Sequence, residues 1–154
     1  RSGAITSAFS VAARTDRRPG MWQVCTLSGA TAATDAVTLY STGINNAGFL
    51  TSAVGKTCWF EIDVDAVASS GTLSQVEAAI QALNSSSSTL FTVAANRITA
   101  GEYMGVTSFK GRLRTPDFVM PANADRALAA LKMGTSIGGT AVVKWGAADL
   151  RVRD

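Results

Sequence analysis

TCWFEIDVD, running from Thr57 to Asp65, decides the fold class. Cys58, Phe60, Ile62 and Val64 fall on one side at a period of two residues, and Trp59, Glu61, Asp63 and Asp65 on the other, which is the pattern of a half-buried β-strand. Four apolar side chains at about 1.5–3 kcal/mol each fix its register, because a slip of one residue would bury the carboxylates instead.

Short segments of the same kind flank this strand. MWQVCTLSG (21–29) alternates Trp22, Val24 and Thr26 with Gln23, Cys25 and Leu27, and its core side is ambiguous. AVTLYSTG (36–43) reads as a strand around Val37, Leu39 and Tyr40, closed by a turn at Asn45 and Asn46. Further on, TLFTVAAN (89–96), ITAGEYMGV (98–106), SFKGRLR (108–114), TAVVKW (140–145) and ADLRVRD (148–154) read as strands, and Gly138-Gly139 as a hairpin turn. Between them, Leu73, Val76, Ile80 and Leu83 recur near helical spacing behind the candidate caps Thr72 and Ser74, which predicts a helix closing at Asn84. Residues 121–133 suit a second helix, although their alternation also suits a strand. The expected architecture is mainly β: an antiparallel β-sandwich or jelly-roll-like barrel with one or two short inserted helices.

A chain of 154 residues can enclose one core, and the composition shifts only at its start. Residues 1–20 are small, polar and basic, with Arg1, Arg14, Arg17 and Arg18 against Asp16 alone, so the whole net charge of +3 sits there and the remainder is neutral. This predicts an extended N-terminal arm over 1–20 and a single β-rich domain over 21–154, with the arm ordered only against another chain. The opening stretch lacks the compact apolar core of a signal peptide, and no apolar run approaches the roughly 20 residues of a membrane helix, so no membrane partner is expected.

The absence of histidine removes the commonest general base and zinc ligand, and two cysteines, Cys25 and Cys58, are too few for a thiolate zinc site. No enzyme, cofactor or metal site is expected, and the two thiols are expected to be buried and free. VGKT (54–57) has the ending of a phosphate-binding loop, but Leu50 stands where that motif needs glycine and a strand follows where it needs a helix.

Charge placement supplies the candidate site residues. Glu61, Asp63 and Asp65 form one stripe, and Lys110, Arg112 and Arg114 a second stripe at the same period of about 6.5–7 Å, so the two can pair either across adjacent strands or across a subunit boundary. Placed at a boundary they would set register and partner choice, which makes them, with the outward-pointing Trp59, candidate interface residues. On the arm, Phe9 would seek an apolar pocket on a neighbour, while Arg14, Arg17 and Arg18 suit weak contact with nucleic acid.

Low charge, abundant Ala, Ser, Thr and Gly, no histidine, short strands and a terminal arm make the chain similar to small virion structural proteins, jelly-roll coats or phage head-decoration proteins. The resemblance implies a capsid or capsid-decoration subunit, located in the virion, that forms homo-oligomers and meets other virion proteins through sheet faces and an exchanged arm. The alternative is a β-sandwich carbohydrate-binding module with Trp59 or Trp22 as a sugar platform.

Overall fold

A computed structural model describes residues 6–13, 20–32, 36–44, 47–96 and 106–154. In chain order the elements are β1 (Thr6–Ala13), β2 (Met21–Ser28), β3 (Val37–Ile44), α1 (Ala47–Ala53), β4 (Thr57–Ser70), β5 (Leu73–Leu83), β6 (Thr89–Asn96), β7 (Ser108–Arg114), β8 (Phe118–Val119), β9 (Arg126–Thr135) and β10 (Thr140–Arg153). They make an antiparallel β-sandwich. One sheet has six strands in the order β1-β2-β10-β4-β7, with β8 also on β4, and the other has four in the order β3-β9-β5-β6.

The strand quoted first is the spine of the larger sheet, extended to Ser70 and paired with β10 on one side and β7 on the other. Its apolar row, Cys58, Phe60, Ile62, Val64 and Ala66, lies in the core. Facing it from the smaller sheet are Val76, Ala78, Ile80 and Ala82 of β5 and Ala127, Ala129, Leu131 and Met133 of β9. Cys25, Leu27, Ala141, Val143 and Trp145 extend the same core along β2 and β10, which settles the core side of β2. Cys25 and Cys58 are free thiols in this interior.

Four expectations change. The helix expected over 72–84 is strand β5, with Val76, Ala78, Ile80 and Ala82 inward and Gln75, Glu77, Ala79 and Gln81 outward. Leu73, Val76, Ile80 and Leu83 fit a helical period, but in-register pairing with β9 and β6 satisfies the backbone and buries the alanines. Residues 126–133 of the second helix candidate likewise lie in a strand, β9, and the helix among the described residues is α1, just before the turn at Gly55. Gly138-Gly139 does turn the chain, but from β9 in one sheet to β10 in the other, so it joins layers and closes no hairpin. It packs against another crossing, β4 to β5, where Gly71 at φ +66° leaves no room for a Cβ beside Ser136 Oγ.

The fourth change concerns the N-terminal arm, whose described part is strand β1, paired with β2 from Thr6↔Ser28 to Ala13↔Met21 without a bulge. Its Phe9 meets Trp145 edge-on at 6.3 Å between ring centres. Residues 14–19 and most of the strand expected over 98–106 lie outside the described residues.

Candidate functional site

The outward face of the larger sheet carries every charged residue singled out from the two stripes. β4 and β7 are neighbours in a register that sets Glu61 against Arg114, Asp63 against Arg112 and Asp65 against Lys110. Pairing across adjacent strands is therefore the arrangement seen. Arg112 Nη1 donates to Glu61 Oε1 at 2.7 Å and its Nε to Asp63 Oδ1 at 2.8 Å, while Lys110 Nζ lies 3.8 Å from Asp65 Oδ2. From β10, Arg151 Nε donates to Glu61 Oε1 at 2.9 Å, and Trp59 Nε1 donates to Glu61 Oε2 at 3.1 Å.

Burial alone would push the Glu61 carboxyl up, but the Trp59 and Arg151 hydrogen bonds and the Arg112 and Arg151 charges outweigh it and hold it below the usual carboxylate range. The hydrogen bond to Asp63, opposed by burial, raises Arg112 further above its ordinary value. Trp59 points away from the core, as its acidic neighbours predict, yet the Arg114 guanidinium lies over its ring at 4.5 Å and that of Arg153 at 5.9 Å. Both arginines also bind Asp117. Trp22 and Trp145 are buried. The platform expected at Trp59 or Trp22 is thus covered in one case and buried in the other. This face is a lattice of matched charges in which each acidic side chain of the stripe already has a cation.

The smaller sheet has a different outward face. A trough of about 240 Å³ crosses it, lined by Thr38, Glu77, Ala79, Gln81, Thr92, Leu128, Ala130 and Lys132. Strand register explains its shape. Ala79 and Ala130 are directly opposed, and small side chains at both positions leave the floor low. One wall is the row Thr38, Lys132 and Glu77, and the other is Leu128, Gln81 and Thr92. The wall rows are four residues apart on β5 and β9, about 13–14 Å, and four strands at about 4.8 Å spacing span roughly 14 Å, so the trough is about as wide as it is long.

Its walls carry hydrogen-bonding groups that are already ordered. Lys132 Nζ lies 3.5 Å from Glu77 Oε1, Gln75 Nε2 donates to Glu77 Oε2 at 3.3 Å, and Gln81 Nε2 donates to Thr92 Oγ1 at 3.2 Å. Paired amide, hydroxyl, carboxylate and ammonium groups around a small floor can bind a neutral, hydroxyl-rich chain by exchanging donors and acceptors. Sequence reasoning missed every residue of this trough. Reading β5 as a helix keeps Glu77 and Gln81 on one face but turns Ala79 to the opposite one, and the outward alternation of Gln75, Glu77 and Gln81 was the signal available. Of the arm residues, Phe9 is on β1 with 60% of its surface exposed, and Arg14, Arg17 and Arg18 lie outside the described residues.

Comparison with known proteins places the fold. No protein-family model and no curated protein sequence matches the chain. Among solved structures, the chain is similar over 93% of its length, at 18% identity and a TM-score of 0.50, to the enzymatically active domain of bacteriophage CBA120 tailspike protein 4. It is similar over 96% of its length, at 12% identity and a TM-score of 0.57, to a carbohydrate-binding module of the β-sandwich superfamily. A third likeness, over 99% of the chain at 12% identity and a TM-score of 0.51, is to the C-terminal family 22 carbohydrate-binding module of Clostridium thermocellum Xyn10B. The chain spans 19%, 54% and 88% of those three structures respectively, and what it shares with them is the β-sandwich fold.

Proposed function

We propose that the chain is a carbohydrate-binding module of the β-sandwich type and that its ligand lies in the trough across the four-stranded sheet. The observation that carries this reading is the trough itself: an Ala79–Ala130 floor between two walls rich in hydrogen-bonding side chains on the outward face of the four-stranded sheet. The fold likeness to two carbohydrate-binding modules supports it. Binding without chemistry also suits a chain with no histidine. Affinity electrophoresis against a panel of soluble polysaccharides tests the reading. Retardation of the wild-type chain is expected, and its loss when Ala79 and Ala130 are both changed to Leu, which fills the floor. A folded wild-type chain that no glycan retards overturns it.

A second reading, a virion structural subunit that assembles with copies of itself and with other virion proteins, rests on a separate observation. Strand β1 forms one edge of the larger sheet, carries no charged residue, and exposes Phe9 and Val11. On this reading Arg14, Arg17 and Arg18, which come after β1 in sequence and lie outside the described residues, contact nucleic acid. Mass in solution separates the two, since an assembling subunit is an oligomer and a binding module need not be.

A further inference from the structure

The trough's walls bear on which glycans it takes, an inference that rests on the carbohydrate-binding reading above. We infer that the trough selects uncharged glycan chains over anionic ones, and that the Glu77–Lys132 pair is the selecting element. Among the described lining residues these are the charged side chains, one of each sign, and they face each other across β5 and β9 at 3.5 Å. The described lining therefore offers a ligand no net charge.

The state of the two partners decides what can enter. Lys132 is committed to Glu77, and the other carboxylate oxygen accepts from Gln75. A ligand carboxylate or sulfate that engaged Lys132, which is 45% exposed and has donors to spare, would come to lie beside the Glu77 carboxylate, whose side chain is only 16% exposed. It would then leave two negative groups side by side in a poorly hydrated wall, and like charges so placed are strongly disfavoured. A sugar hydroxyl meets no such penalty, since it donates to the carboxylate and accepts from the ammonium while the pair stays intact. The opposite wall repeats this neutrality, with the Gln81 amide and Thr92 hydroxyl at 3.2 Å.

The floor points the same way. Ala79 and Ala130 offer a smooth apolar strip, and the described lining includes no aromatic ring, so the grip comes from hydrogen bonds along the walls. Hydrogen-bond recognition punishes a mismatched partner more than it rewards an extra one, because an unpaired group loses its water without replacement. Among the described lining residues, charge state and hydroxyl pattern, and not ring stacking, are what a ligand meets.

Isothermal titration of the wild-type chain with xylo-, manno- and gluco-oligosaccharides, and with oligouronates and sulfated oligosaccharides of matched length, tests the inference. The neutral class is expected to bind at least about tenfold more tightly than the anionic class. Glu77→Gln, which keeps the shape and frees Lys132 but removes a charged acceptor for sugar hydroxyls, is expected to raise anionic binding at least about tenfold and to weaken neutral binding, so that the preference for neutral chains is lost. Should that variant fail to fold by circular dichroism, Lys132→Gln serves instead, and is expected to weaken anionic binding by a larger factor than neutral binding, because it leaves the Glu77 carboxylate without its ammonium partner in the wall. Anionic ligands that bind wild type as well as neutral ones, or a folded variant whose selectivity is unchanged, overturn the inference while leaving the carbohydrate reading intact. A folded wild-type chain that binds neither class overturns the carbohydrate reading and the inference with it.

Discussion

Glu61 shows how one side chain on a sheet face can be held by three strands. Its carboxylate takes hydrogen bonds from Trp59 of β4, Arg112 of β7 and Arg151 of β10, and it is 8% exposed. Glu61→Ala should therefore cost on the order of 1–3 kcal/mol in denaturant unfolding, more than an exposed ion pair, because it strips partners from a partly dehydrated network. A double-mutant cycle with Arg112→Ala should give a coupling larger than noise. The pH dependence has a definite sign. The folded-state value for Glu61 lies below the unfolded value, so its contribution is complete above about pH 4.5 and is lost as pH falls through the lower folded value. Cys25 acts at the other end: burial pushes its thiol from 9.0 up to about 11, with a backbone hydrogen bond from Ala8 opposing. Its contribution is full below pH 9 and is lost as pH rises toward 11, since the unfolded thiol ionises first. Cys25→Ala should cost about 1–3 kcal/mol at neutral pH and make the alkaline fall in stability shallower. Much at this scale was legible in sequence. The alternation in TCWFEIDVD assigns each side chain to a face, and the matching period of the basic stripe in SFKGRLR allows the ladder of pairs that β4 and β7 form.

Elements were legible where alternation involved large side chains and charges, and illegible where alanine stood in for both. Over residues 57–65 of β4 no alanine blurs the pattern and the strand is read, whereas its continuation through Ala66 and Ala68 to Ser70 is not. In β5 Ala78, Ala79 and Ala82 suit either face of either element, so the helical spacing of Leu73, Val76, Ile80 and Leu83 stands out although the chain there is a strand. A peptide of residues 72–84 has lost the two neighbouring strands that decide the matter. It should turn helical in trifluoroethanol by circular dichroism, whereas the same residues in the intact chain give slow amide exchange in a β pattern; a peptide that resists helix formation would show that local preference already favoured the strand. Layer crossings are the other feature that spacing does not reveal, because a glycine turn looks the same whether it joins neighbours or sheets. Gly71 is the tightest such point, with φ +66° and Ser136 Oγ in the place of a Cβ, while Thr72 N–H donates to that same oxygen at 3.0 Å. Gly71→Ala should cost about 1–3 kcal/mol of stability, measured by thermal or denaturant unfolding, because backbone strain and a collision add.

At the scale of the whole molecule, the trough was invisible in sequence for a topological reason: its walls come from β3, β5, β6 and β9, whose order and register no single segment encodes. The same topology leaves the two edges of the larger sheet unlike each other. The β7 edge carries Lys110, Arg112 and Arg114, the kind of charge that discourages another strand from adding to a sheet. The β1 edge has none, keeps an unbroken register with β2 across its length, and exposes 60% of Phe9 and 56% of Val11. Two copies can pair β1 with β1 antiparallel about a two-fold axis, which joins their sheets and brings the exposed residues of the two strands together. If the chain assembles, this edge is where it starts. Sedimentation of the wild-type chain should then show a concentration-dependent dimer. Val11→Lys, which places a charge on a position already exposed, should shift it to monomer while the unfolding midpoint stays close to wild type. A wild-type chain that sediments as a monomer at every concentration would rule out assembly through β1 and leave the trough as the surface through which this fold acts.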